Sequence, residues 1–300
     1  CGRSSVDEGT VISVLYTSDT RGKLEGCGCK KNGGGITKRA ARIEAARKED
    51  PTVLYVDAGN FLSGTPEADE SKGDVIVAAY NQLGTTAVNV SERELACGLD
   101  VFRKAKENSK FSYLSANIRA DGNSVADPYV IKNVKGANVA IVGLCGTKEV
   151  MRYDSSKLPG GVTIENPLTV AKRVIPSLAG KADIIIFLST CGDEMDSLLA
   201  QAPSVKIDLI VGGRSYRPNT SAPWLFGPGF AKGSLGGYED LNERVKKAEE
   251  NLRNAKGMYA RGLMSGDELA KAQNELEELK KQQSAEKGEG AGHNTCVART

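Results

Sequence analysis

Histidine is almost absent from this chain: among 300 residues there is one, His293, in a glycine-rich stretch near the end. A site built from several imidazoles therefore cannot be assembled from these residues in any register. No apolar run approaches the length needed to span a bilayer, so membrane attachment must come from another feature. An excess of one charge is also lacking, with 40 Lys and Arg against 38 Asp and Glu, which excludes nucleic acid as a partner on charge grounds. There is no C-x-x-C pair, which excludes covalent c-type haem through C-x-x-C-H and a zinc ribbon. What remains is a chain long enough to bury one large core, or a core plus an appendage.

The pattern along the chain is strand, helix, strand, repeated. Thr10 to Tyr16 is a β-branched apolar run that ends at Ser18-Asp19-Thr20-Arg21-Gly22. A glycine turn at Gly33 to Gly35 precedes helical spacing over Ile36 to Lys48, and a strand over Thr52 to Val56 closes at Asp57-Ala58-Gly59-Asn60. A helix over Asp74 to Leu83, a strand at Ala87 to Val90, a loop Ser91-Glu92-Arg93-Glu94, a helix over Leu99 to Asn108 and a strand at Ser112 to Ala116 follow. Tyr129 to Val134 and Asn138 to Leu144 read as a hairpin pair around Lys135-Gly136; Val170 to Leu178 is helical, and Asp183 to Leu188 and Asp208 to Val211 are near-continuous apolar strands. Strands buried on both faces belong in a layered α/β architecture.

From Tyr238 the character changes. Leu241, Val245, Leu252 and Tyr259 share one helical face, and Leu269, Ala272, Leu276 and Leu279 a second, with charged residues between them. Ser265-Gly266-Asp267-Glu268 has the S-x-x-E form of a capping box. The expected product is an antiparallel, coiled-coil-like helical hairpin over 238–284, either folded back on the domain or serving as a docking element for a protein partner. The expected organisation is a tether over 1–9, an α/β domain over 10–217, a Pro/Gly-rich linker over 218–237, the hairpin, and a flexible tail over 285–300.

The chain begins Cys1-Gly2-Arg3-Ser4-Ser5 without an initiator Met, which resembles the mature product of a bacterial lipoprotein precursor. Cys1 is then the lipidation site and the membrane anchor. Gly2, rather than Asp, resembles outer-membrane sorting, so the expected location is the bacterial envelope. The remaining cysteines, Cys27, Cys29, Cys97, Cys145, Cys191 and Cys296, are even in number, which in an exported protein suggests disulfides of unassigned connectivity. One residue separates Cys27 from Cys29, so a bond between them would be strained.

Val11 to Tyr216 resembles the 5'-nucleotidase branch of the calcineurin-like metallophosphoesterases. Members carry a strand followed by Asp-x-His, then Gly-Gly and a helix, then a strand closed by Asp-Ala-Gly-Asp. The same frame here reads Ser18-Asp19-Thr20-Arg21, then Gly34-Gly35-Ile36, then Asp57-Ala58-Gly59-Asn60. The family's Gly-Asn-His-Glu is matched in position by Ser91-Glu92-Arg93-Glu94, and its Ser-His and Gly-Gly-His-Ser-His by Ser189-Thr190 and Gly212-Gly213-Arg214-Ser215-Tyr216. Tyr113-Leu114-Ser115-Ala116-Asn117-Ile118, Pro128 to Ile131 and Val139 to Leu144 are also similar to the family. The resemblance implies an α/β/β/α sandwich with the site at the strand ends.

Two-metal phosphoester hydrolysis needs carboxylates, an amide and several imidazoles to hold the cations and lower the pKa of a bridging water. Of the positions carried over by the resemblance, only Asp19 keeps the family's residue. Arg21, Thr190, Arg214 and Tyr216 stand at histidine positions, Asn60 at the second Asp, Glu92 at the metal-binding Asn, and Arg93 at the substrate-facing His. Guanidinium groups stay protonated and cannot ligate a cation. Arg21, Arg93 and Arg214 are thus expected either to form an ion-pair network with Asp19, Glu92 and Glu94, or to cradle a small anion such as phosphate. Cys27, Cys29, Cys97, Cys145 and Cys191 fall near the same sheet edge, as disulfides or, alternatively, as thiolates for a soft metal or an iron-sulfur cluster. No metal or cofactor is expected in the main reading, a non-catalytic, lipid-anchored binding or scaffold protein of an envelope assembly. The alternative is a divergent phosphoesterase using a divalent metal. After Tyr216 nothing corresponds to an aromatic base clamp, so nucleotide specificity is not inherited.

Overall fold

The computed structural model describes residues 10–26, 34–148, 158–202, 205–213, 241–260 and 264–288. Cys1, Cys27, Cys29, Arg214, Tyr216, Cys296, the 218–237 stretch and the last residues lie outside them. The chain divides into two compact units, the first carrying all the described strands and the second the two late helices.

In the first unit, β1 (Val14–Thr17), β2 (Leu54–Asp57), β3 (Ala87–Asn89) and β4 (Ser112–Leu114) form a parallel sheet in that order. A second sheet has the order β11 (Leu209–Gly212), β10 (Ile184–Thr190), β8 (Ala137–Cys145), β7 (Tyr129–Val134), with only β7 antiparallel to its neighbour. The sequence reading of the β7–β8 hairpin and of the other long strands holds to within a few residues. A small antiparallel sheet of β5 (Ile118–Ala120), β6 (Asn123–Ser124) and β9 (Val162–Ile164) was not anticipated, because its strands are too short to carry a period.

Period-two alternation explains how the two main sheets stack. In β10, Ile184, Ile186 and Leu188 turn inward against Val14, Val56, Val139 and Ile141, forming the core between the sheets. Ile185 and Phe187 turn outward beneath α6 (Pro167–Leu178) and α7 (Asp193–Gln201), where Val170, Val174, Met195 and Leu199 cover them. On the opposite side α3 (Asp74–Gln82) and α5 (Leu99–Glu107) cover the first sheet through Ile76, Val77, Tyr80 and Phe102, while α1 (Ile36–Glu49) packs Ile43 on Tyr55. α2 (Pro66–Glu70) and α4 (Glu92–Ala96) are single-turn pieces at strand ends. The layers run helix, sheet, sheet, helix, as expected. α6 starts where Asn166 accepts the Thr169 amide at 3.1 Å ahead of Pro167, a cap and first-turn proline that fix the helix entry.

In the second unit, α8 (Leu241–Ala260) and α9 (Gly266–Gly288) pair. The Glu249–Lys280 ion pair at 2.7 Å and the approach of Gly266 to Tyr259 run in opposite senses along the helices, so the hairpin is antiparallel. Its seam keeps Val245 and Leu276 of the expected residues, adds two alanines and leaves Tyr259 out. Val245, Ala248 and Ala255 are buried, with Leu276 packed on the first two, while Tyr259 is 50% exposed. Alanines let the helices approach closely, and Tyr259 sits at the end of α8 where little of the partner remains to cover it. Ser265 caps α9 as the sequence indicates: its hydroxyl accepts the Glu268 amide at 3.3 Å, and the Glu268 carboxylate accepts the Ser265 amide at 2.9 Å. Ser265→Ala is expected to cost about 1 kcal/mol of hairpin stability, read as an earlier loss of far-UV ellipticity on heating.

Candidate functional site

The loops that leave β1 and β2 continue as a zipper past the strand ends. The Asp19 amide donates to Gly59 O at 3.0 Å, Arg21 N to Asn60 O at 2.9 Å and Gly22 N to Phe61 O at 2.8 Å. Asp19, Arg21 and Asn60 all have left-handed backbones, with φ of 50°, 50° and 60°. Non-glycine residues adopt this region only where surrounding contacts hold them, and such positions concentrate at functional sites. Asn60 Nδ2 donates to Asp19 Oδ1 at 2.5 Å.

Glu94 is the anchor of this corner. It is 1% exposed, and its carboxylate accepts the amides of Asn60 (3.2 Å), Phe61 (2.8 Å) and Ser91 (2.9 Å) together with the Ser91 hydroxyl. The segment expected as a loop is therefore α4, started by a capping box in which Ser91 Oγ accepts from Arg93 N at 3.1 Å. Sequence reasoning missed this although Ser91-Glu92-Arg93-Glu94 has the same S-x-x-E form that marks α9. Among the described residues, amides and a hydroxyl occupy the Glu94 carboxylate, and these donors reach it without desolvating a guanidinium; Arg214, the third arginine of the expected network, lies outside them.

Glu92 is buried, and Arg93 Nε stands 3.9 Å from its Oε1 with half of the Arg93 side chain exposed. Cys145 Sγ lies 3.8 Å from Glu92 Oε2. Thr190 is fully buried and reaches Leu144 O at 3.5 Å. Asn89 binds both sheets together here, donating to Ala58 O at 3.0 Å and Leu144 O at 2.9 Å. Gly213 lies against Asp19: a Cβ placed on it would stand 3.3 Å from Asp19 Oδ2. The structure therefore brings Asp19, Asn60, Glu92, Arg93 and Thr190 to one end of the two sheets. Arg21 joins them through its backbone while its side chain is exposed.

Below this corner, Asp57 is fully buried and accepts from Thr17 Oγ1 (2.5 Å), Tyr80 OH (2.8 Å) and the Gly59 amide (2.8 Å). Arg39 donates to the same Tyr80 hydroxyl at 3.1 Å and lies over its ring. Burial pushes the Asp57 carboxyl up to about 6, opposed by these donors. By holding the Gly59 amide, Asp57 shapes the turn that presents Asn60.

Cys97, Cys145 and Cys191 are free thiols, so the expected disulfides do not form among these three. The register pairs Thr190 with Cys145, which places Cys191 on the opposite face of the sheet: Cys145 packs with the Phe61 cluster and Cys191 with the Phe187 cluster. Burial pushes the Cys145 thiol up to about 12 and Cys191 well above its ordinary value, which disfavours thiolate formation at both. Among the described residues no group of three or more His, Cys, Asp and Glu side chains is arranged to hold a metal ion.

No family model matches the chain. Pairwise relatives do. A 5'-nucleotidase of Vibrio cholerae is 28% identical over 229 residues, covering 69% of this chain and 40% of that protein. A 2',3'-cyclic-nucleotide 2'-phosphodiesterase/3'-nucleotidase of Yersinia enterocolitica is 27% identical over 235 residues, covering 68% and 36%. The chain thus spans well under half the length of the curated relatives it matches. Among solved structures, the calcineurin-like phosphoesterase YfkN of Bacillus subtilis superposes with a TM-score of 0.56 at 23% identity, covering 67% of this chain and 70% of that one. The relatives are nucleotidases and phosphodiesterases, and the layered architecture is their fold.

Proposed function

We propose that this chain, a homologue of 5'-nucleotidases with the calcineurin-like phosphoesterase fold, is a non-catalytic binding or scaffold member of that group. The observation that carries the reading is the donor set. Arg21, Arg93, Thr190, Arg214 and Tyr216 stand at the positions where the family resemblance requires imidazoles, and the chain's one histidine is His293. Three arginines, a threonine hydroxyl held by Leu144 O and a carboxylate shared with a neutral thiol do not fit a dinuclear centre.

The same corner favours binding over turnover. Glu94 is satisfied by amides, and Asp19 takes the Asn60 amide, so the exposed Arg21 and half-exposed Arg93 remain able to contact a small anion at the rim. Lipidation of Cys1, a place in the outer envelope and contact with a protein partner through the 238–284 hairpin complete the proposal. The hairpin's thin alanine-lined seam supports the last of these parts.

A second reading is a divergent metal-dependent phosphoesterase, favoured by the activities named for its relatives. Hydrolysis of a generic phosphoester with added manganese, zinc or iron, alongside elemental analysis, separates the two. The expected result is neither bound metal nor turnover above background. Stoichiometric metal with turnover abolished by Asp19→Ala would establish the second reading instead.

A further inference from the structure

Besides Glu92, three carboxylates are buried in the first unit beside the site, and their surroundings differ in kind. Glu94 has backbone amides and a hydroxyl donating to both oxygens. Asp57 has two hydroxyls and an amide, with Arg39 one phenol away. Asp196, in α7, is 7% exposed, and the side-chain donor it has is the neutral hydroxyl of Ser189 at 2.5 Å. An ionised carboxylate needs several donors or a cation to offset its lost hydration, and only the first two have them.

Among the described residues nothing packed against Asp196 supplies a cation. β10 presents Ser189, whose oxygen also accepts the Cys191 amide at 3.1 Å, and Cys191 itself follows with a neutral thiol. β11 presents the backbone of Gly212, close enough that a Cβ there would stand 2.9 Å from Asp196 Oδ2. α6 turns Val170, Ala171 and Val174 toward the apolar cluster of Met195 and Leu199, while its Arg173 is held by Glu165. On its own helix the charged neighbour is Asp193, which repels. The carboxyl is accordingly pushed up to about 7, first by burial.

The position gives this acid a reach into the site. Ser189 holds Asp196 through its hydroxyl and accepts the Gly213 amide on its carbonyl at 2.7 Å, and Gly213 abuts Asp19. We propose that Asp196 is a pH-responsive latch: as a neutral acid it is accommodated in the packing between α7 and the ends of β10 and β11, and on ionising its uncompensated buried charge draws in water and loosens that corner and the Gly213 segment beside Asp19. The latch does not depend on whether the site hydrolyses anything.

Linkage fixes the sign. A carboxyl whose folded pKa is raised stabilises the fold below its unfolded value, and that contribution is lost as pH rises through the folded value. Wild type and Asp196→Asn are to be unfolded in urea from pH 4 to 8.5. The wild-type folding constant should fall relative to the variant by up to about tenfold per pH unit between the ordinary carboxylate range and neutrality, then level off. Parallel curves for the two proteins would overturn the latch. Should Asp196→Asn fail to fold, a carboxyl-carbon NMR titration of the wild type decides: a midpoint near neutrality, moved higher by Ser189→Ala, supports it, and a midpoint in the ordinary carboxylate range sinks it.

Discussion

Glu94→Ala is expected to destabilise the first unit by about 3–5 kcal/mol, since it strips acceptors from several buried donors at once. The amides of Asn60, Phe61 and Ser91 and the Ser91 hydroxyl all end on this carboxylate, in a place 1% exposed to solvent. A buried donor left without a partner loses about 1–3 kcal/mol, and water cannot enter freely to replace the carboxylate. The left-handed Asn60 would lose its amide anchor while keeping its backbone strain, so the Asp19–Asn60 contact should loosen with it. Glu94→Gln keeps the shape but turns one end into a donor facing donors, and should fall between wild type and alanine. Urea unfolding followed in the near-UV, where the stacked Phe61 and Tyr80 rings report on this corner, provides the measurement. A loss below about 1 kcal/mol for Glu94→Ala would mean that the corner is not held this way.

Gly143→Ala should be comparably damaging for a different reason. Gly143 lies in β8 where the two main sheets approach, and a Cβ there would stand 2.4 Å from Leu114 O and 2.7 Å from Asn89 Oδ1. Backbone lies behind the first of these atoms, so relief requires moving a strand rather than rotating a side chain. Overpacking of this kind costs about 1–3 kcal/mol, and more where backbone must shift. The displacement would also pull Leu144 O away from Asn89, breaking the clamp from Asn89 to Ala58 and Leu144. Among the described residues Asn89 Oδ1 has no hydrogen-bond partner, and its closeness to Gly143 leaves room for little beyond a weak Cα–H contact. Gly160→Ala is the control, because a Cβ there meets nothing within 4 Å; it should change stability by less than about 0.5 kcal/mol. Equal effects of the two substitutions on the denaturation midpoint would refute the close-approach argument.

Long elements were legible because their signals are local. β8 and β10 read as continuous apolar runs since both faces are covered, and α1 and α5 read from helical spacing. α4 was not, because five residues give no period and only the S-x-x-E form marked it. For Cys145 and Cys191 the expected convergence failed on alternation: they lie at neighbouring strand ends, yet the register turns them to opposite faces. In the hairpin, choosing large apolar residues for the seam overlooked Ala248 and Ala255, whose small size is what lets the helices close.

The sequence by itself determined the layered α/β class, because hydrophobic period and turn residues act over a few neighbours, while the position of the site at the strand ends was implied by the family resemblance. It also determined that a site of several imidazoles is not available, because composition needs no coordinates. Only the tertiary structure decided what the side chains at the site do. Asp19 taking the Asn60 amide, Glu94 being consumed by backbone donors, and Asp196 meeting the neutral Ser189 hydroxyl depend on atoms brought together from across the chain. Whether a buried carboxylate is satisfied, paired or left to hold its proton is set by such three-dimensional donor counts, which no local pattern encodes.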